Sequence, residues 1–226
     1  MKQRGWFDTE KEGRRSRYRL TERGEAILKE GDKRIFEEPF SDWDGTWHLV
    51  VYSLPEEKRK LRNQLRKKLI WFGFGNLAPG TWVSPHDRQT ELEPILDDLG
   101  VREYVHLFTG QHVGTTSDLE LVAGCWDISA LQKEYDAFLQ RYQPAYDAFR
   151  QAINDKGDDA FSPEKCFPRR FWLTFDFQPF PRKDPNLPTV LLPDDWSGHR
   201  ARQLFLQYRQ ILSDGMGNFI DQLLRG

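Results

Sequence analysis

Between residues 11 and 23 the chain carries six basic residues, Lys11, Arg14, Arg15, Arg17, Arg19 and Arg23, against Glu12 and Glu22. A guanidinium fork is always charged and weakly hydrated, so arginines on a loop tip can reach phosphates or a narrow minor groove. The same run also suits a solvated turn. A second basic set, Lys58, Arg59, Lys60, Arg62, Arg66, Lys67 and Lys68, falls on the polar side of a helical repeat. It suits the phosphates of nucleic acid, those of a nucleotide-bearing ligand, or plain solvation.

Other reactive residue types lack the spacing that chemistry needs. His48, His86, His106, His112 and His199 show no metal-ligand pattern, and Asp87, Glu91, Glu93, Asp97 and Asp98 have no cage-forming loop, so they read as a solvated helix face. Cys125 and Cys166 form neither a zinc set nor a redox dithiol, which fits a reducing cytoplasm. The glycine-rich phosphate loop, the dinucleotide fingerprint, the His-Glu-x-x-His motif and the nucleophile elbow are all missing. The expectation is a protein that is not an enzyme, with no catalytic residues, no metal and no cofactor.

The elements that must position the basic residues follow from periodicity. The first forty residues read as strand, charged hairpin, strand and then a helix over 22–36, with Thr21 as its N-cap. Trp47 to Tyr52 is a short, mostly apolar run, a buried strand. Ser53 and Glu56 have capping-box spacing, Pro55 stands at the helix start, and Leu61, Leu65, Leu69 and Phe72 repeat on one face as far as Gly73. Two short strands around Pro79-Gly80, an acidic helix over 92–99 and a strand over 104–108 complete the order strand, helix, strand, strand, helix, strand. That is the ferredoxin-like arrangement.

Downstream, Asp127 reads as the N-cap of a helix bearing Leu131, Tyr135, Phe138 and Tyr142. Pro144 leaves open one kinked helix or two before Tyr146, Phe149 and Ile153. The aromatic stripe reads as core. A polar break over 154–159, an aromatic block over 171–177, a proline-rich connection over 179–193 and a final long helix from Gly198 finish the chain. Its apolar tail, Phe219, Ile220, Leu223 and Leu224, needs burial, for instance against a second protomer. The 226 residues carry 38% hydrophobic and 30% charged side chains with net charge −2, enough for a packed core without a uniformly basic coat. No apolar run is long enough for a membrane span, and the expected location is the cytoplasm.

Several segments resemble the PaaX family of transcriptional repressors: Trp47 to Pro55, Arg62 to Arg66, Gly73-Phe-Gly75, Gly80 to His86, Asp184 to Gly198 and the wing-like Tyr18 to Gly24. The resemblance spans essentially the whole chain. It implies an α+β fold in three parts: a partial winged helix over 1–40, comprising the wing and the following helix, a ferredoxin-like central domain over 41–122 and a mainly helical domain over 123–226. It further implies a homodimer that represses aromatic (phenylacetate) catabolism and leaves operator DNA when it binds an aryl-CoA thioester such as phenylacetyl-CoA. On this reading Arg14, Arg15, Arg17 and Arg19 touch the DNA backbone. Arg62 and Arg66 take the anionic end of the ligand, with Trp82 and His86 near the same edge.

Three features depart from the family pattern. A winged helix carries its recognition helix before the wing, and this chain starts at the hairpin, so the expectation is a fragment or a late gene start. Family members often carry a His-Glu pair and an Arg where this chain has Phe175, Asp176 and Gln178, which points to a different ligand. In the CRISPR-associated endoribonuclease relatives the first central strand ends in a metal-binding Asp, and the matching residue here is Ser53, whose hydroxyl is a poor ligand for a hard cation. Two alternatives to the repressor stay in view, a metal-dependent ribonuclease on the central domain and a ligand-binding and dimerisation module without DNA binding of its own.

Overall fold

The computed structural model of the chain describes residues 7–12, 15–21, 42–156 and 163–225. The chain divides into two units, Met1–Glu38 and Pro39–Gly226. In the first, β1 (Phe7–Glu12) and β2 (Arg15–Leu20) pair antiparallel, Phe7 opposite Leu20 and Glu12 opposite Arg15. This is the expected hairpin. Arg14 and the helix expected over 22–36 lie outside the described residues, so the capping expected of Thr21 does too.

The second unit begins with a four-stranded antiparallel sheet in the order β4-β5-β3-β6, built from β3 (Trp47–Tyr52), β4 (Gly75–Ala78), β5 (Thr81–Ser84) and β6 (Val105–Gly110). Helix α1 (Arg59–Trp71) carries the chain from β3 to β4, leaving room for β5 between them, and α2 (Gln89–Asp98) carries it on to β6. This is the ferredoxin-like topology within an α+β chain. Strand alternation puts Val50, Tyr52, Trp82 and Val105 on one face, where Leu65 and Leu69 of α1 and Leu92 and Leu96 of α2 close a single core.

The β4–β5 turn depends on Gly80, whose φ of +75° is a conformation that L side chains rarely adopt. Its carbonyl accepts from the Tyr52 N–H at 2.8 Å, and a Cβ there would lie 2.5 Å from the Tyr52 carbonyl oxygen.

The capping box expected at Ser53 and Glu56 does not form. The Ser53 N–H already donates to the Tyr104 carbonyl at 3.1 Å, so the reciprocal bond has no donor. The first turn winds as a 3-10 helix (Glu56–Lys58) without a side-chain cap, and the Glu56 carboxylate accepts from Arg62 at 2.9 Å instead. A capping box does form at α3 (Asp118–Cys125), between Ser117 and Glu120, where the sequence reading placed none.

The remaining helices are α4 (Ile128–Lys156), α5 (Pro163–Phe177), α6 (Phe180–Lys183) and α7 (Gly198–Arg225). Asp127 caps α4 as expected, its carboxylate accepting from the Ala130 N–H at 3.0 Å. Pro144 sits inside α4, which continues as one helix. A mid-helix proline costs about 3 kcal/mol. Burial of Phe138, Tyr142, Tyr146 and Phe149 on both sides of it supplies more than that. Phe177 stacks on Phe205 at 4.0 Å and Tyr135 on Phe180 at 4.2 Å, so the stripe on α4 is core.

The segment between α6 and α7 fastens these helices to the sheet. The largely buried Asp184 carboxylate accepts from the Asn186 N–H at 2.7 Å and from the Tyr135 hydroxyl at 2.6 Å. Burial pushes its pKa above the ordinary carboxylate value, against the pull of those two donors. The turn holds Asn186 at φ 56°, and its carbonyl accepts from His86 Nε2 at 2.7 Å. Pro185 rests on Gly73, where a Cβ would come within 2.8 Å of the Pro185 oxygen. Trp126 donates to the Gly73 carbonyl at 3.1 Å and covers Gly75, where a Cβ would meet its ring at 2.6 Å. Further on, Gln132 binds Ser197 and the Asp195 carbonyl, and the Ser197 hydroxyl donates to Asp136.

Two outcomes follow from this fastening. Tyr135→Phe leaves the ring packing intact but removes a donor from Asp184, and should lower unfolding stability by about 1–3 kcal/mol in urea titrations. His86 is buried and its pKa is pushed down to about 4, chiefly by burial. Above pH 6.5 both folded and unfolded states hold it neutral; between 6.5 and 4 only the unfolded state gains the proton, so stability falls by up to ~1.4 kcal/mol per pH unit. His86→Gln keeps an N–H for Asn186, and its stability against pH should lose about one proton's worth of slope in that window.

Candidate ligand and nucleic-acid surfaces

In the hairpin, Arg15, Arg17 and Arg19 occupy alternate positions of β2. The register sets Glu12, Glu10 and Asp8 directly opposite them.

At the end of β3 a cleft of about 460 Å³ opens between α1 and the β4–β5 turn, with Ser53, Arg62, Arg66, Asn76 and Gly80 in its wall. Arg62 is tied to Glu56. Arg66 is exposed and makes no ion pair among the described residues. Asn76 is oriented by bonds to the Ala78 and Thr81 carbonyls at 2.9 and 3.2 Å. The arrangement offers two guanidinium groups and a hydroxyl to an anion, and Tyr52, Leu54 and Pro79 supply the apolar part of its wall.

Trp82 and His86 are not part of this cleft. Trp82 faces the core, its indole N–H donating to the Tyr52 hydroxyl at 3.3 Å, and His86 is held by Asn186 under the loop that follows α6. The strand order places them near the expected edge. Period-2 alternation turns Trp82 to the helix-covered face, and the contact with Asn186 is 100 residues distant in sequence. Ser53 stands exposed at the mouth of the cleft, and no group of three or more His, Cys, Asp or Glu among the described residues could hold a metal ion.

The sequence reading did not find the second cleft. On α5, Phe167, Phe171, Trp172 and Phe175 each keep more than half of their surface in water. Phe167, Phe171 and Phe175 stand at i, i+4 and i+8 and, with Arg170, Gln178 and Arg209, line an apolar groove of about 430 Å³. The available signal was the four-residue spacing, masked because Leu173 and Phe177 in the same aromatic block face inward. Of the three positions that depart from the family pattern, Phe175 and Gln178 line this groove. Asp176 is occupied by the Tyr142 hydroxyl at 2.7 Å and by Arg141 at 2.6 Å. Burial, with Asp176 beside it, pushes the Tyr142 hydroxyl pKa upward.

Residues 41–122 match the PaaX protein central Cas2-like domain, and residues 126–222 match the PaaX-like protein C-terminal domain. The transcriptional repressor PaaX of Escherichia coli (strain K12) is 31% identical over 225 residues, covering 98% of this chain and 69% of that protein. Among solved structures, the uncharacterized protein Rv0674 from Mycobacterium tuberculosis shares the fold with a TM-score of 0.57 at 21% identity, over 94% of this chain and 77% of that one. No helix among the described residues is long and apolar enough to cross a membrane. With a ferredoxin-like sheet, a helical partner fastened to it by the Asp184–Gly198 segment and a relative 31% identical along 98% of this chain, the chain belongs to the PaaX family of transcriptional repressors.

Proposed function

We propose that this chain is a cytoplasmic, homodimeric repressor that controls aromatic catabolism and releases operator DNA on binding an aryl-CoA thioester such as phenylacetyl-CoA. The observation that carries the reading is the 31% identity to a transcriptional repressor along 98% of the chain. Residues 1–40 serve DNA contact, 41–122 and 123–226 serve ligand sensing and dimerisation. Arg14, Arg15, Arg17 and Arg19 touch the DNA backbone.

The cleft at the end of β3 takes the anionic end of the thioester through Arg62 and Arg66. Those two side chains suit phosphate groups, whose oxygens match a guanidinium fork. A second reading puts the acyl group in the groove on α5, and the apolar wall there favours it. Calorimetric titration with phenylacetyl-CoA, CoA and phenylacetate decides between them. The double variant Arg62→Ala, Arg66→Ala should remain folded and weaken thioester binding at least tenfold, about 1.4 kcal/mol. Unchanged affinity there, with a loss in Phe171→Ala, Phe175→Ala, would move the site to α5.

The ribonuclease alternative needs a carboxylate at the end of β3, where this chain has Ser53. Incubation with RNA and magnesium or manganese should give no cleavage, and metal-dependent cleavage would overturn the repressor reading. Thioester binding without any preference for operator over random DNA would favour the ligand-binding and dimerisation module.

A further inference from the structure

From Lys58 to His86 the chain carries seven basic residues and no Asp or Glu, although acidic residues slightly outnumber basic ones in the whole sequence. The structure concentrates that imbalance on α1. Lys58 finds Glu103 at 3.7 Å, Arg62 finds Glu56 at 2.9 Å, and Arg59 reaches Glu56 only at 4.0 Å. Lys60, Lys67 and Lys68 are exposed and make no ion pair among the described residues. Elsewhere in the same domain, cations are matched locally, Arg88 by Glu91 and Arg102 by Asp97 and Glu93. The face of α1 is therefore not the mixed-sign surface that ordinarily keeps a helix in solution.

The shape of the patch narrows what it fits. Leu65 and Leu69 anchor the opposite side of α1 in the core, so the lysines stand on a fixed scaffold. Lys60 and Lys67 are two turns apart, roughly 10 Å along the axis, with Lys68 beside them. Ammonium groups are compact point charges without the planar fork that selects one small anion. A row of them on a convex helix suits an extended polyanion. No aromatic residue lies between Lys60 and Lys68, so there is no platform for stacking unpaired bases. Leu65 and Leu69 are buried and Ile70 is the one large apolar side chain of the helix that stands exposed, too little to seat it in a lipid surface. Duplex DNA, with a negative charge every ~1.7 Å of its axis, is the polyanion that needs neither.

We infer that the Lys60–Lys67–Lys68 face of α1 is a second duplex-DNA contact, on the central domain, which grips the phosphate backbone irrespective of sequence. It rests on the repressor reading and adds to it a binding surface separate from the hairpin. On the full chain these lysines contribute salt-dependent affinity to operator and random duplex alike.

The test is fluorescence anisotropy of the full chain with a random-sequence duplex over a salt series. Three proteins are compared: wild type, Lys60→Gln/Lys67→Gln/Lys68→Gln, and Arg15→Gln/Arg17→Gln/Arg19→Gln. Glutamine keeps the helix propensity of lysine, and circular dichroism checks that α1 stands. Each phosphate contact contributes about 0.9 to the slope of log K against log salt, so the helix variant should flatten it by about 2 to 3 and bind at least tenfold more weakly at low salt. An unchanged slope in the helix variant, with a loss in the hairpin variant, overturns the inference and leaves the repressor reading standing. A wild-type chain that does not bind duplex at all overturns both. Loss of binding to single-stranded RNA or to phosphatidylserine vesicles, with duplex binding intact, overturns the inference in favour of that other polyanion.

Discussion

The Asp184 carboxylate is the contact on which the second unit depends. Its two oxygens are divided between the Tyr135 hydroxyl on α4 and the Asn186 amide in its own turn, so one group holds the helical part and shapes the loop. The shape matters because it aims the Asn186 carbonyl at His86, next to the sheet, and sets Pro185 down on Gly73. A carboxylate taken out of water is costly unless its lone pairs are satisfied, and an enclosed group with fixed partners admits few alternative geometries. Position 73 has no room for a side chain and position 75 none under Trp126, which explains two glycines bracketing a phenylalanine at the start of β4.

The fold was legible where one periodicity dominated and where a residue had a single local role. Val50 and Tyr52 alternate, Leu65 and Leu69 recur at helical spacing, and Asp127 caps the helix that follows it. Local rules failed where a distant partner had already claimed the group in question. The Ser53 amide was spent on Tyr104 across the sheet, so a correct capping-box spacing produced no box. Pro144 left one helix or two open, and the choice fell to one because the aromatics on either side of it bury against α5 and α7, a gain no local window contains.

The clefts show the same division. Arg62 and Arg66 are one turn apart on α1, so helical spacing alone put them together. Trp82 and His86 were drawn to that edge by strand order. Strand order gives proximity but not facing, and one step of alternation separates a cleft wall from a core. The groove on α5 was hidden for the complementary reason: in a block where nearly every residue is aromatic, composition cannot tell Phe171 and Phe175, which face water, from Leu173 and Phe177, which do not.

Charge behaves in this chain as packing does, through placement rather than total. A net charge of −2 argues against a protein that coats itself with nucleic acid, yet the two basic segments are arranged oppositely. In the hairpin the strand register sets each of the three β2 arginine positions across from an acidic position. On α1 the nearest acidic residues end at Glu57 and do not resume before Asp87, so the lysines of its outer face keep their charge for a partner. Attraction between exposed charges fades beyond roughly 8–10 Å at physiological salt. What a phosphate backbone meets is therefore the local set of side chains and not the protein's sum.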